Sequence, residues 1–410
     1  MRKVEDSVVV LTGASSGIAR AAAVALAERG ASVVVAARDA AALDQVAAEC
    51  EAKGVRALAV PTDVTDEEQV QALARAARST FGRIDVWVNA AAVIVFGEFE
   101  KTPSDVYRRV LETNLFGQIH GARAVLPTFR EQRSGVLVNV GSVWGSVTSP
   151  YVSAYVVSKF GVRAFSESLQ EALRLQKATK DIRVCTVLPQ SVDTPIFRHA
   201  GNYTSHVPKP VPPVVGPERV VRAIIRSIEH PRRQRMVGVC GRFLEVGHVV
   251  LPGLYGRIVP RAMNRLALSR ASAPSGPGNV FESVPSSNRE YGDWRMSRLQ
   301  AARGVFGLAM LAAPAALAEK LLGAPAGRAT SVALRLLGAR HLGQAVLSGS
   351  TPSTRAFLTD AGVDTAHAVS MLVLAGARPQ WRRAALGSAG VAAAFAAASV
   401  RAAARSSRGR

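Results

Sequence analysis

A tyrosine and a lysine four positions apart, Tyr155 and Lys159, are the residues of this sequence best suited to chemistry. On a helix, side chains at this spacing share one face. A tyrosine with a pKa of about 10 is a poor base at neutral pH, but a neighbouring ammonium favours its phenolate form and lowers that pKa. The pair could therefore transfer protons to and from a substrate. Taken alone, such a pair is usually an ordinary surface pair on a helix.

A serine and a small-residue loop add to this chemistry. Ser142 lies 13 residues before Tyr155, just after a predicted strand, where its hydroxyl could hold a substrate oxygen. The run Thr12-Gly13-Ala14-Ser15-Ser16-Gly17-Ile18 follows the first predicted strand and opens a helix. Small residues let the backbone approach a pyrophosphate, whose charge is stabilised at a helix N-terminus. The order of strand, loop and helix predicts a dinucleotide site, with a plain tight turn as the alternative.

The elements that must position these residues alternate along the first 190 residues. Short β-branched runs and amphipathic stretches follow one another, which predicts an α/β fold with a Rossmann-type, doubly wound parallel sheet. The predicted strands are Val8–Leu11, Ser32–Ala36, Ala57–Val60, Val86–Val88, Val136–Val140 and Arg183–Leu188. The predicted helices between them include Ala21–Arg29, Ala40–Lys53, Glu67–Phe81 and Phe160–Leu175.

These motifs resemble those of the short-chain dehydrogenase/reductase family. The resemblance covers residues 5 to about 240 and rests on the loop Thr12–Ile18, the run Tyr155–Lys159, Asn89, Asn114, Ser142, Pro189 and Thr194. It implies that Tyr155 is the general acid/base, that Lys159 also binds the nicotinamide ribose, and that Asn114 completes a proton relay through water. It further implies that Asp63 and Val64 contact the adenine, although Asp63 could instead cap a helix. Thr194 and the backbone of Val192 would hold the carboxamide.

Two positions depart from the family pattern. The third glycine of the loop is replaced by Ala19, and the usual Asn-Asn-Ala-Gly run is Asn89-Ala90-Ala91-Ala92. Both exchange one small residue for another, so we expect cofactor binding to survive.

The choice of cofactor depends on the end of the second strand. Ala37 stands where an acidic residue would bind the ribose of NAD, and Arg38 follows, where a guanidinium could pair with a 2′-phosphate. We therefore expect NADP, with NAD as the alternative and a solvated surface arginine as the other interpretation of Arg38. The expected cofactor-binding residues are Thr12, Gly13, Ser15, Ser16, Gly17, Ile18, Arg38, Asp63, Val64, Asn89, Tyr155, Lys159, Pro189, Val192 and Thr194. Cys50, Cys185 and Cys240 are too far apart in sequence to suggest a metal site.

The segment after Thr194 bears on the substrate. Six prolines between residues 194 and 217 predict an irregular lid, which contains Phe197, His199 and Tyr203 and no acidic side chain from 196 to 215. We expect hydride transfer between NADP(H) and the carbonyl or alcohol group of an apolar compound. The alternative is a membrane-anchored binding or scaffold protein with an inactive dehydrogenase fold.

Charge and composition divide the 410 residues. The formal net charge is +21, and residues 216–410 hold 27 Lys and Arg against 9 Asp and Glu, whereas residues 1–215 hold 24 and 21. We predict a catalytic domain over residues 1–270, a Ser-, Pro- and Gly-rich linker over 271–297, and a hydrophobic helical domain over 298–410. Dispersed cations without a recognition motif argue against nucleic acid.

The C-terminal region contains 32 alanines in residues 301–410 and four apolar segments. These are Gly304–Leu322, Ala329–Leu347, Ala361–Ala377 and Ala384–Val400, which we predict to be a membrane-embedded bundle, with a soluble four-helix bundle as the alternative. Asp364, His367, Arg340 and His341 could form either a polar pocket or a structural ion pair of Arg340 with Asp364.

The stretch Phe243–Leu268 mixes basic and large apolar residues. It could lie at a lipid interface, cover the substrate pocket or form a dimer contact. The N-terminus lacks a signal-peptide pattern, so we expect the catalytic domain to lie in the cytoplasm. Because of the predicted bundle, we expect the protein to be membrane-associated. The resemblance implies homodimers or homotetramers formed through that domain.

Overall fold

A computed structural model describes residues 4–176, 181–238, 240–284, 288–294, 298–317, 327–350, 354–377 and 382–408. The chain divides into two units, Met1–Trp294 and Arg295–Arg410, each of which is considered by itself below. Residues 318–322 of the first predicted apolar segment lie outside the described residues.

A seven-stranded parallel sheet forms the centre of the first unit. Its strands lie in the order β10-β7-β6-β4-β1-β2-β3. They are β1 (Val8–Thr12), β2 (Ser32–Ala37), β3 (Ala57–Pro61), β4 (Val86–Asn89), β6 (Gly135–Val140), β7 (Ile182–Pro189) and β10 (Gln234–Val237). Every residue of β1, β4 and β6 is buried, as expected of strands covered on both faces. The predicted Rossmann-type fold is confirmed.

Seven helices accompany this sheet, and all of them except α4 pack on its two faces. They are α1 (Gly17–Ala27), α2 (Ala40–Glu51), α3 (Glu67–Phe81), α4 (Ser104–Leu111), α5 (Gly117–Gln132), α6 (Ser153–Leu175) and α7 (Pro217–Glu229). One apolar core joins β1 and β2 to α1, α2 and α7, and a second joins the other face of the sheet to α3, α5 and α6. The strand order reverses between β1 and β4, so their carboxyl ends open a crevice at that point.

Smaller elements surround the crevice. Strand β5 (Val95–Gly97) pairs with β8 (Gly201–Tyr203), and β9 (His206–Pro208) pairs with β11 (Leu268–Ser272). The segment predicted to be an irregular lid therefore contains two short strands, β8 and β9. Each of them pairs with a strand that is distant in sequence. Helices α8 (Cys240–Val250) and α9 (Pro252–Leu266) precede β11.

The described part of the predicted linker is not a free connection. Residues 271–284 and 288–294 belong to the first unit, and Val280 is fully buried against Val93 and Val95. Turn-forming residues produced the linker prediction, but the backbone of this segment hydrogen-bonds the unit at several points. Residues 285–287 and 295–297 of the predicted linker lie outside the described residues.

Four long helices form the described part of the second unit. They are α10 (Arg298–Ala312), α11 (Arg328–Ser350), α12 (Thr354–Ala377) and α13 (Arg382–Arg408). In this part of the chain one stretch, Ala385–Ala404, is long and apolar enough to cross a membrane, with a mean hydropathy of 1.4.

Charged side chains lie inside this second unit. Arg303 and Asp364 are fully buried, Arg303 pairs with both Asp360 and Asp364, and Arg340 reaches Asp364 at 2.8 Å. His367 contacts Ser388 instead, with Nε2 and Oγ 3.0 Å apart. Asp364 therefore belongs to an ion-pair network, which is the structural alternative that the sequence left open.

Candidate active site

The glycine loop closes the crevice at the end of β1. Gly13 has φ +75°, and a Cβ there would lie 2.7 Å from Cα of Ala91, so only glycine fits this turn. The Thr12 hydroxyl accepts the backbone N–H of Ala90 at 3.2 Å, which ties the loop to the end of β4. Gly17 begins α1 and directs its amide end towards the crevice, which is lined by Ser15, Ser16 and Ile18 as well.

The two departures from the family pattern are accommodated. Ala19 is buried within α1 and packs into the core behind the loop. Ala90, Ala91 and Ala92 line the crevice, and their small side chains leave it open.

The ends of β2 and β3 form the far side of the crevice. Arg38 lines it, and the carboxylate of Asp39 accepts the N–H of Ala42 at 3.0 Å as the cap of α2. Asp63 and Val64 also line it. Burial raises the pKa of the Asp63 carboxyl, but hydrogen bonds from Thr65 and the charge of Arg109 outweigh burial and lower it. The cap of α3 is Asp66, so Asp63 is not the helix cap that was its alternative role.

Tyr155 and Lys159 project from α6 into the crevice opposite the loop. Tyr155 is 8% exposed and Lys159 is 1% exposed, so neither is an ordinary surface side chain. Nζ of Lys159 lies 5.4 Å from the centre of the Tyr155 ring and donates to the carbonyl of Val140 at 3.0 Å. Ser142 lies directly beyond β6 and lines the crevice with Tyr155, and its hydroxyl accepts the N–H of Trp144 at 3.2 Å.

The pKa values of this pair differ from the sequence expectation. Burial raises the pKa of Tyr155 to about 12, with the Ser142 hydrogen bond acting in the opposite direction. Burial also lowers the pKa of Lys159 to about 7. The expected lowering of the tyrosine pKa by a neighbouring ammonium is therefore not seen, because removal from water dominates both groups.

Asn114 is fully buried in a π-helical turn, Glu112–Phe116, between α4 and α5. Its amide donates to the carbonyl of Val93 at 2.9 Å and to the Ser158 hydroxyl at 3.1 Å, and its Oδ1 accepts the Val93 N–H. These bonds fix Val93, two residues before β5, and Ser158 of α6 to the same side chain. The side chain thus holds the walls of the crevice together, and the predicted relay through water stays a prediction.

Asn89 is also committed to structure. It is buried at the end of β4, where its amide donates to the carbonyl of Gln118 and to the side chain of Asn139. Its Oδ1 accepts the indole N–H of Trp87 at 2.8 Å. Among the predicted cofactor residues, Asn89 therefore shapes the end of the strand, and the alanines that follow it line the crevice.

The residues after β7 complete the site. Pro189, Val192 and Thr194 line the crevice, and the Thr194 N–H donates to the carbonyl of Val192 at 2.9 Å. The side chain of Thr194 lies opposite the start of α1, 3.3 Å from the position that a Cβ on Gly17 would take. The crevice thus gathers every predicted site residue except Thr12, Asn89 and Asn114, which lie in its walls.

Sequence reasoning missed several residues of this site. Trp144 and Tyr155 meet edge to face with ring centres 5.9 Å apart, and Ile94 forms an apolar wall with Ile196 and Phe197 of the predicted lid. Tyr203 of the predicted lid packs instead beside Val93 and Val95. Asn279, Ser283, Val284 and Asn288 line the crevice from the predicted linker, whose composition carries no signal for such a role.

The crevice has the features that a nicotinamide dinucleotide needs. The loop at Gly13 leaves room where any side chain would collide, and a helix N-terminus faces the same space. Nε2 of His199 and Oδ1 of Asn279 are buried without a hydrogen-bond partner among the described residues. Both residues line the crevice. Groups of a bound ligand could satisfy these atoms.

A sheet of this order with a buried Ser-Tyr-Lys group at its switch point defines a class of dehydrogenases. A family model described as short chain dehydrogenase matches residues 7–203. An uncharacterized oxidoreductase of Bacillus subtilis (strain 168), YxnA, is 35% identical over 279 residues, which cover 68% of this chain and 77% of that protein. The chain belongs to the short-chain dehydrogenase/reductase family.

Other relatives and solved structures agree. An uncharacterized oxidoreductase of Staphylococcus saprophyticus is 33% identical over 234 residues, 56% of this chain and 93% of that protein. A short-chain dehydrogenase/reductase from Burkholderia phymatum in complex with NAD has a TM-score of 0.54 at 26% identity, covering 63% of this chain and 97% of that one. A short chain dehydrogenase from Burkholderia cenocepacia in complex with NADP has a TM-score of 0.53 at 26% identity, covering 63% and 99%.

Proposed function

We propose that the chain is an NADP-dependent oxidoreductase that moves a hydride between the nicotinamide and the carbonyl or alcohol group of an apolar compound. The observation that carries this proposal is the meeting of Ser142, Tyr155 and Lys159 in one buried crevice with the glycine loop. Bound cofactor supplies or accepts the hydride at its nicotinamide ring. The protein residues supply orientation and the proton.

Tyr155 is the proton donor in the direction of carbonyl reduction. Because burial raises the pKa of Tyr155 to about 12, its hydroxyl keeps its proton at neutral pH and can give it to a substrate oxygen. Ser142 holds that oxygen through its hydroxyl. The ammonium of Lys159, 5.4 Å from the ring centre, stabilises the phenolate that forms.

The apolar wall supports the proposed substrate class. Trp144, Ile94, Ile196 and Phe197 line the crevice together with Tyr155, and only His199 among the lid residues there is titratable. Burial lowers the pKa of His199, as do the charges of Arg198 and Arg289, which favours the neutral imidazole. A hydrophobic carbonyl compound suits this surface better than a cation.

Two features favour NADP over NAD. Ala37 offers no carboxylate to repel a 2′-phosphate, and the Arg38 guanidinium lines the same end of the crevice. The carboxylate of Asp39 accepts hydrogen bonds from Ala42 and Asn288. The Arg38 guanidinium donates to backbone carbonyls of residues 279–282, so a bound 2′-phosphate would exchange some of these bonds for an ion pair.

Binding titrations followed by NADPH and NADH fluorescence test this choice. We expect NADPH to bind at least about tenfold more tightly than NADH, a difference of roughly 1.4 kcal/mol. The variant Ala37→Asp, which adds a carboxylate at the end of β2, should reverse the preference. Ala41→Asp adds the same charge at an exposed position of α2 and should leave the preference unchanged. Equal or tighter binding of NADH by the wild type contradicts the proposal.

We propose that the second unit begins near residue 295 and lies in a membrane. Among its described residues, the ionisable side chains of Arg303, His341 and Asp364 are buried, whereas the large apolar side chains of Leu336 and Val373 are more than 60% exposed. A soluble bundle would have the opposite distribution. In lipid, ionisable side chains face the bundle interior and pair with one another, as Arg303, Asp360 and Asp364 do.

Helices α8 and α9 support contact of the first unit with a lipid surface. Val249, Val250, Leu251 and Leu254 are all more than half exposed, beside the cations Arg257 and Arg261. The opposite side of α9 packs Met263 against the apolar wall of the crevice, so the pocket-covering role also applies to this helix. We propose a membrane-bound enzyme with its catalytic unit in the cytoplasm, acting as a homodimer or homotetramer and binding no nucleic acid.

A further inference from the structure

The segment of residues 276–284 and 288–294, here called the strap, crosses the cofactor crevice of the first unit. Four of its residues line the crevice: Asn279, Ser283, Val284 and Asn288. Most hydrogen bonds of the strap among the described residues join its backbone to the rest of the unit. Their partners lie at the carboxyl ends of the sheet strands or in the loops after these strands. These bonds fall at three places along the crevice.

The first attachment is at the end of β2. The terminal nitrogens of Arg38 donate to the strap carbonyls of Asn279 at 2.7 Å and Phe281 at 2.6 Å. They also make longer hydrogen bonds to the carbonyls of Val280 and Glu282. Between these bonds the Val280 side chain is fully buried in an apolar cluster. This end of the strap is therefore fixed by both polar and apolar contacts.

The second attachment is at the glycine loop. The Gly17 N–H, at the start of α1, donates to the carbonyl of Arg289 at 2.9 Å. The side chain of Asn288 donates to the Asp39 carboxylate at 2.7 Å, and its carbonyl accepts from Arg20 at 2.8 Å. The strap thus lies over the helix N-terminus that favours a pyrophosphate.

The third attachment is beyond β7. Oδ1 of Asp193 accepts the N–H groups of Gly292 at 3.1 Å and Trp294 at 2.7 Å. A Cβ on Gly292 would lie 2.2 Å from the carbonyl oxygen of Thr194, so the strap approaches that backbone as closely as only glycine allows. The ring of Trp294 meets the edge of Phe197, with centres 6.3 Å apart.

Buried polar atoms without partners show that this arrangement leaves hydrogen-bonding capacity for a ligand. Oδ1 of Asn279 and Nε2 of His199 have no hydrogen-bond partner among the described residues, and both residues line the crevice. The backbone N–H of Asn279 donates to the His199 carbonyl at 2.9 Å, so the two residues form one corner of the crevice. A buried polar atom left without a partner destabilises the protein.

We propose that the strap is a second cofactor-binding element, which closes over the bound nicotinamide dinucleotide and slows its release. In this arrangement Oδ1 of Asn279 accepts a hydrogen bond from an amino or hydroxyl group of the dinucleotide, and Asp193 acts as a positioning residue that holds the strap down. The inference rests on the proposed function, since it assumes that a nicotinamide dinucleotide occupies the crevice. It assigns binding to a segment that follows the sheet and helices of the dehydrogenase fold.

The test measures cofactor release from the full-length chain in detergent. NADPH dissociation is followed by its fluorescence in stopped-flow chase experiments, on the wild type, Asp193→Ala and Asp193→Asn. Asp193→Ala removes the acceptor of the two strap amides and should speed release at least about tenfold. Asp193→Asn keeps an oxygen at that place and should stay within about threefold of the wild type.

Two further measurements keep the result clear if Asp193→Ala does not fold. Asn279→Ala leaves the strap anchors in place and should weaken NADPH binding by about tenfold. In the wild type, NADP should slow amide hydrogen exchange in residues 288–294. The proposal is overturned if release from Asp193→Ala, NADPH binding by Asn279→Ala and amide exchange in the wild type are all unchanged. Tighter NADPH binding by Asp193→Ala also overturns it, because the strap would then compete with the cofactor. If the wild type binds no dinucleotide at all, it is the proposed function that fails.

Discussion

At the scale of the residue, burial has opposite effects on the two titratable groups of the candidate site. It raises the pKa of Tyr155 to about 12 and lowers the pKa of Lys159 to about 7, so removal from water favours the neutral form of each. The spacing of the two residues could be taken from the sequence, because i and i+4 share a helix face. Their solvation could not, because it depends on Trp144 and Val140, which come from another part of the chain.

These pKa values predict the pH dependence of carbonyl reduction. The ammonium of Lys159 is present below its lowered pKa of about 7 and is lost above it, whereas Tyr155 keeps its proton throughout. The value of kcat/KM measured from about pH 5.5 to about 9.5 should therefore fall as pH rises through 7. Lys159→Arg, whose guanidinium stays charged, should give a lower rate that is flat over this range. A wild-type rate that rises through pH 7 contradicts the assignment.

At the scale of the element, the loop between β1 and α1 was the most predictable part of the site. Its glycines and its place between a strand and a helix are local properties of the sequence. The strap was not predictable, because its Ser, Pro and Gly residues are typical of a linker and its partners, Arg38 and Asp193, lie 241 and 99 positions away. The same reason explains β8 and β9, whose partner strands are distant in sequence.

Gly13→Ala should separate the role of this loop from general backbone strain. The new methyl carbon would lie 2.7 Å from Cα of Ala91, and φ at this position is +75°. We expect NADPH affinity to fall by at least about tenfold in fluorescence titrations. Gly54→Ala is the control, because φ at Gly54 is also positive, +85°, and the new Cβ would have no atom other than those of its chain neighbours within 4 Å. Both variants carry the backbone strain of a positive φ, and only Gly13→Ala adds the steric overlap. Equal cofactor affinity in both would contradict the role of the loop.

At the scale of the whole molecule, the excess positive charge and the alanine-rich composition separate an α/β unit from a helical one. The sequence predicted four apolar segments, and the described residues contain four long helices. It could not predict that Arg303, Asp360 and Asp364 meet inside them, because that pairing depends on how the helices pack. The burial of these ionisable groups beside exposed apolar side chains such as Leu336 and Val373 supports the proposed lipid environment.

Placing an arginine on the apolar surface of the second unit tests that environment. Val373 is 66% exposed on α12, and Val373→Arg should cost roughly 2.5–3.5 kcal/mol at the centre of a bilayer. In water such an exposed substitution stays within about 0.5 kcal/mol. We expect the wild type to remain in carbonate-washed membranes and Val373→Arg to be depleted from them. Leu175→Arg, at an 87% exposed position of the first unit, should behave like the wild type. A wild-type chain found in the soluble fraction without detergent contradicts the membrane proposal.

The central claim is that Tyr155 transfers the proton in a nicotinamide-dependent reaction, and one comparison tests it most directly. NADPH oxidation is measured across a panel of apolar carbonyl compounds for the wild type and Tyr155→Phe, with NADPH binding measured on the same samples. We predict turnover by the wild type, loss of turnover by at least about a hundredfold in Tyr155→Phe, and NADPH affinity within a few-fold. Turnover retained by Tyr155→Phe would contradict the account.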